Sequence, residues 1–177
     1  MKKALLIASV LFIAVISTAC INNIAVQELN NKAAEYMEKG DYEAAVNRLQ
    51  ASIDLDSSIY ETYYNLGIAA TSAKKYDVAI EALENGLKIK PDFSNFYYSL
   101  AIAQAEYSED LIEPDDDKKD VSAEDKAKSE ELRISAIENA QKYLELAPQA
   151  EDKEEVEELI KDLTEPEKEE QPKVLKG

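Results

Sequence analysis

The chain repeats itself with a period of 34 residues, and this self-similarity restricts its fold more than any other feature. Tyr63, Leu66 and Gly67 recur as Tyr97, Leu100 and Ala101, each 34 positions further on. The same frame runs backwards, pairing Leu29 with Tyr63, Ala33 with Gly67, Gly40 with Lys74, Tyr42 with Tyr76, Ala45 with Ala79 and Leu49 with Leu83. Within the central period, Tyr63, Leu66, Gly67 and Ala70 are followed by a second set, Tyr76, Ala79, Ile80, Leu83 and Leu87. Intervals of three and four put each set on one face of a helix. Pro91 ends the second helix, because proline has no N–H and its ring clashes with the preceding turn. Each period is therefore predicted to be a two-helix hairpin that cannot bury its apolar face alone and must stack on another. Gly67 and Ala79 are small, which predicts a close crossing of the two central helices. Gly40-Asp41 predicts the turn of the preceding hairpin, since glycine tolerates positive φ and aspartate can cap the helix that follows.

As a pattern, Tyr63-x-x-Leu66-Gly67, Ala79-x-x-x-Leu83 and Pro91 resemble the tetratricopeptide repeat. Ala70 and Leu83 stand where that family usually has Tyr and Phe, both size changes within apolar sites. The resemblance spans about 26–163 and implies an all-α, right-handed superhelical solenoid of about three hairpins plus a C-terminal capping helix. Its repeats fall at 26–59, 60–93 and 94–148, and the last is interrupted. From Pro91 to Pro148 is 57 residues, one repeat plus 23, and the extra residues lie around 108–133. This insertion is acidic, including Glu113-Pro114-Asp115-Asp116-Asp117. Ser122-x-x-Asp125 resembles a capping box, so a helix is predicted from near Ala123, leaving about 108–121 irregular. Val156, Leu159, Ile160 and Leu163 form the apolar stripe of the capping helix, at about 150–163. Two prolines and alternating charges in 164–177 leave little to bury, so that tail is expected to be disordered.

The first twenty residues follow a different logic. Lys2-Lys3 precedes the apolar run Ala4 to Ile16, long enough for a signal-peptide core and short for a membrane span of about 20 residues. Ser17-Thr18-Ala19 then leads into Cys20, the one cysteine of the chain. This resembles a bacterial lipoprotein signal, with 1–19 removed and Cys20 acylated. Ser17 departs from the aliphatic residue usual three places before that cysteine, and an ordinary signal-peptidase site or an uncleaved anchor are the alternatives. Residues 20–25 are then the lipidated cysteine and a tether, whose five residues 21–25 reach at most about 17 Å. The expected location is the bacterial cell envelope, lipid-anchored on the extracytoplasmic side of a membrane.

Chemistry is constrained mainly by what the sequence lacks. There is no histidine, which removes the commonest general base and a common zinc ligand. The acidic loop fails as an EF-hand from Asp115, because Asp120 and Lys126 occupy the positions that need Gly and Glu. No phosphate-binding glycine loop and no nucleophile-and-base set is found, so neither catalysis nor a cofactor or metal is expected. The formal net charge of −17 disfavours nucleic acid.

The resemblance implies a site on the concave surface lined by the first helices of successive hairpins. Carried over by frame, its residues include Asn30 and Met37 in the first repeat, Tyr64 and Ile68 in the second, and Tyr98 and Ile102 in the third. Tyr64 and Tyr98 fall one repeat apart, either on adjacent rungs of a groove or packed between repeats. Some members of the family grip a C-terminal carboxylate, but of the matching positions only Asn65 agrees and none is cationic. The expected function is thus a membrane-tethered adaptor that binds a peptide or protein segment, with Glu61 and Glu106 favouring basic flanks. A self-assembling structural protein is the alternative.

Overall fold

The computed structural model describes residues 23–113 and 121–165. Among these, every regular element is a helix: α1 (23–38), α2 (Tyr42–Leu55), α3 (Tyr60–Ser72), α4 (Tyr76–Ile89), α5 (Ser94–Ile112), α6 (Ala123–Leu146) and α7 (Lys153–Thr164). They fall into two compact units that divide after Pro91.

The first unit holds two hairpins, α1–α2 and α3–α4. Both turn by the same hydrogen-bonded device. The N–H of Asp41 donates to the Tyr36 carbonyl at 2.9 Å and that of Gly40 to the Met37 carbonyl at 3.0 Å. One repeat later, Lys75 donates to Ala70 and Lys74 to Thr71, each at 2.8 Å. This is the Schellman arrangement, which satisfies orphan carbonyls at a helix end and requires a left-handed residue at its centre. Gly40 takes that conformation with φ +73°, and so does Lys74 with φ +55°. Asp41 then caps α2 by accepting from the Ala44 N–H at 3.1 Å, as the sequence predicts. Ser57 stands one repeat before Pro91, and the turn there is held by Asp56, whose carboxylate accepts from the Ser58 N–H and hydroxyl at 2.9 and 2.6 Å.

The core of this unit is built from the periodic positions, with Ala45, Leu49, Ala70, Ala79 and Leu83 fully buried, and Ala69 beside them. Gly67 faces Leu83 so closely that even a Cβ there would penetrate the leucine side chain. The close crossing predicted for α3 and α4 is therefore present. Three polar side chains also hold α1 to its neighbours. The Asn30 amide donates to the Val26 carbonyl at 2.9 Å and to Ser52 Oγ at 2.7 Å, while the Thr62 hydroxyl donates to Asn30 Oδ1 at 3.3 Å. Ser52 and Thr62 are buried, so this network lies within the fold.

In the second unit α5 and α6 form a long hairpin covered by α7. Ala101, Ala140, Tyr143 and Val156 make one buried cluster, and Ala105, Ala136 and Leu163 a second. Ser122 caps α6 as predicted: its Oγ accepts from the Asp125 N–H at 3.0 Å, and its hydroxyl donates to the Asp125 carboxylate at 2.7 Å, a side-chain bond in place of the one a full capping box makes to the backbone N–H. The inserted residues largely extend the two helices. α5 has 19 residues and α6 has 24, against 13 and 14 in α3 and α4. The extension stays paired, since Ser129 donates to the Ser108 carbonyl at 2.8 Å and Lys128 to Tyr107 Oη at 2.6 Å.

Two expectations change. The irregular stretch does not begin at 108, because Ala105 and Ser108 continue the buried face of α5. The helix instead ends at Ile112, where Glu113 turns extended (ψ 125°) ahead of Pro114, as a residue before proline prefers. Residues 23–25, expected in the tether, belong to α1 instead, and Val26 is already buried. Residues 1–22, with Cys20 and the signal sequence, lie outside the described residues, as do 114–120 and the tail from 166.

Candidate functional site

In the first unit, α1 and α3 flank a cavity of about 290 Å³. α1 contributes Asn30, Ala34, Met37 and Glu38, α3 contributes Asn65, and Leu49 of α2 closes the floor. Intervals of three and four place the α1 residues on one helical face, and Asn65 meets them because α3 repeats the position of α1. The structure thus brings together Asn30, Met37 and Asn65 of the residues expected in the groove. Asn30 differs from the other two, because its amide is committed to Ser52 and Thr62. It shapes the groove from within the fold, whereas Met37 and Asn65 line the cavity. No Lys or Arg lines the cavity, and Glu38 is its charged residue. Tyr64 and Ile68, also on α3, are half-buried.

Tyr98 and Ile102 lie in the second unit, where both are half-buried on α5. The Tyr98 ring stacks on that of Tyr143, with centroids 5.2 Å apart and planes at 27°. Its hydroxyl donates to Glu155 of α7 at 3.3 Å. Tyr143 in turn donates to Asp152 at 2.6 Å. Tyr98 therefore joins α5, α6 and α7, and its hydroxyl is already engaged.

A second cavity of about 440 Å³ opens in this unit among the end of α5, the second and third turns of α6 and the end of α7. Its residues include Leu163, from the stripe predicted for the capping helix, and Ser108, Ser129 and Arg133, none of which stood out in the sequence. They sit within or beside the insertion, where the 34-residue frame gives no register. The signal that could have found them is the run Ala101, Ala105, Ser108, which carries the small buried face of α5 past the length of a normal repeat helix. Arg133 is fixed on two sides. It donates to both Glu130 carboxylate oxygens, from Nη2 at 2.6 Å and Nε at 2.9 Å, and Nη1 donates to the Leu163 carbonyl at the end of α7. The hydrogen bond from Arg133 holds the Glu130 carboxyl below its usual range.

Among the described residues, no group of three or more Cys, Asp or Glu is arranged to hold a metal ion. None of the described helices is long and apolar enough to cross a membrane.

Comparison with known proteins gives this geometry a family context. The family described as TPR repeat matches residues 33–70, and that described as tetratricopeptide repeat matches 60–93. The chain carries tetratricopeptide repeats over that span. Among solved structures it is similar to the TPR2B domain of yeast Sti1 in a complex with pHsp70, with 17% identity, TM-score 0.62, and coverage of 80% of this chain and 98% of that one. The TPR domain of Arabidopsis OM64 gives 16% identity and TM-score 0.63 over 82% of this chain and 98% of its own. The Yersinia enterocolitica type III secretion chaperone SycD, in complex with a peptide of the translocator YopD, gives 19% identity and TM-score 0.59 over 78% and 91%. These likenesses show the fold class, an all-α array of tetratricopeptide hairpins. A comparison with curated proteins gives no match.

Proposed function

We propose that this chain is a non-catalytic adaptor that holds an extended peptide or protein segment against the first helices of its first two hairpins. We further propose that acylation of Cys20 tethers it to a membrane of the bacterial envelope, facing the extracytoplasmic side. The observation that carries the binding reading is the groove between α1 and α3, where Ala34, Met37 and Asn65 offer apolar contact and an amide. Two similar structures, those of Sti1 and SycD, are named as complexes, which supports the same use of the fold here. The lining has no cation to receive a terminal carboxylate. A segment held by apolar burial, with basic flanks toward Glu38 and Glu61, fits it better. The second reading is self-assembly, favoured by another SycD structure described as an alternative dimer.

Crosslinking capture from the native envelope, repeated with Tyr64→Ala, tests the binding reading. A buried aromatic anchor is commonly worth about 2 kcal/mol or more, and about 1.4 kcal/mol is tenfold in affinity. Partner retention should fall at least about tenfold with the melting temperature unchanged. Early unfolding of the variant would make Tyr64 a packing residue, and unchanged capture by a folded variant would mean that the bound segment does not extend from the cavity to Tyr64. Light scattering at several concentrations separates self-assembly, which requires a mass that grows with concentration.

A further inference from the structure

The extended third hairpin creates a concavity that the repeat frame does not. α7 has 12 residues, half the length of α6, so α5 and α6 outrun it and the cavity of about 440 Å³ forms at its end. Its floor is apolar: Leu159 and Leu163 pack on Ala105 and Ala136, and Ile112 stands 46% exposed beside them. The rim is acidic, formed by Glu109, Asp162 and Glu165. Arg133 is the one base in the lining, and its charge is committed to Glu130 and to the carbonyl end of α7. Among the described residues, no hydrogen bond or ion pair engages the three rim carboxylates.

An apolar floor under uncompensated acids selects its occupant by charge. A second copy of a chain carrying −17 is repelled from such a rim, as is an anionic ligand. A lysine or arginine side chain suits it, since the alkyl stem can lie on the leucines while the cation reaches the rim. We propose that this cavity is a second docking site, for a partner-protein segment that presents an aliphatic side chain between Lys or Arg residues. It shares no residue with the groove of the first unit, so the two readings stand or fall separately.

Fluorescence anisotropy on the full chain tests it, with a labelled peptide of two leucines set among four lysines as the probe. The controls are the same peptide with alanines for the leucines and the same peptide with glutamates for the lysines. The leucine–lysine peptide should bind at least tenfold tighter than either control. Ile112→Asp should weaken it at least tenfold, although it adds an acid and would strengthen a purely electrostatic attraction. Glu109→Lys with Asp162→Lys should weaken it by at least as much, whereas Tyr64→Ala should leave it within twofold. Equal binding by the alanine peptide, or undiminished binding by a folded Ile112→Asp variant, would overturn the proposal. A chain ending at Glu165 completes the test. If removing 166–177 tightens binding tenfold or more, the chain's own end occupies the cavity and the partner assignment is wrong.

Discussion

Lys74 occupies the left-handed region at φ +55°, one repeat after Gly40 does so at φ +73°. The turn demands that backbone whatever the side chain, and for a residue with a Cβ it costs roughly 1–2 kcal/mol. Lys74→Gly removes the cost but adds freedom to the unfolded chain, a loss of about 0.4–1 kcal/mol. The net expectation is a stabilisation of about 0.5–1 kcal/mol, read as a higher urea midpoint with unchanged slope. Gly40→Val should do the reverse even though the space around Gly40 is open, because the strain lies in the backbone. Glu130 adds a pH term of known sign. The Arg133 hydrogen bond depresses its folded-state value, so its contribution is complete above the ordinary value of 4.5 and is lost as pH falls through the depressed one. Removing Arg133 should therefore lessen the acid sensitivity of the second unit, as followed by urea midpoints between about pH 5 and 3.

At the scale of the helix, the α3–α4 crossing is set by Gly67 lying on Leu83. Gly67→Ala should cost about 1–3 kcal/mol by overpacking. Combined with Leu83→Ala it should cost clearly less than the two changes separately, since the second makes room for the first. Additive losses in that cycle would mean that the two residues do not meet. Ser122→Ala should cost about 1 kcal/mol and expose the first turns of α6 to hydrogen exchange. These elements were legible because each is a local rule: periodicity for the helices, glycine and proline for the turns, Ser-x-x-Asp for the cap. The groove was legible in part. Its α1 and α3 residues follow from the frame, but the inward commitment of Asn30 does not, because it depends on Ser52, a residue 22 positions away on another helix. Tyr98 shows the same limit, since its stacking partner Tyr143 comes after an insertion that hides the register. Of the second cavity the sequence showed only Leu159 and Leu163, because the cavity itself arises from a difference in length between helices.

For the molecule as a whole, the governing quantities are its charge and the short distance from Cys20 to the first helix. If Cys20 is acylated, two or three chains at about 0.8 kcal/mol per buried methylene should outweigh repulsion of an acidic domain from an anionic surface. Cys20→Ala should then release the protein from membranes or block its processing. Normal processing and retention would rule the anchor out. Binding in the groove of the first unit should vary little with salt, being apolar, whereas docking at the acidic rim in the second should weaken as salt rises. The early start of α1 gives the Asn30 network a mechanical meaning. Any pull applied upstream of residue 23 enters the fold through α1. The bonds from Asn30 to Ser52 and Thr62 cross from that helix to α2 and α3, so they act as a clasp at the loaded end. Asn30→Leu would leave two buried hydroxyls without this partner, at about 1–3 kcal/mol each. Under tension from the N-terminus, α1 of that variant should peel away at a lower force than in the parent, while a pull on the other end should register no difference in the second unit.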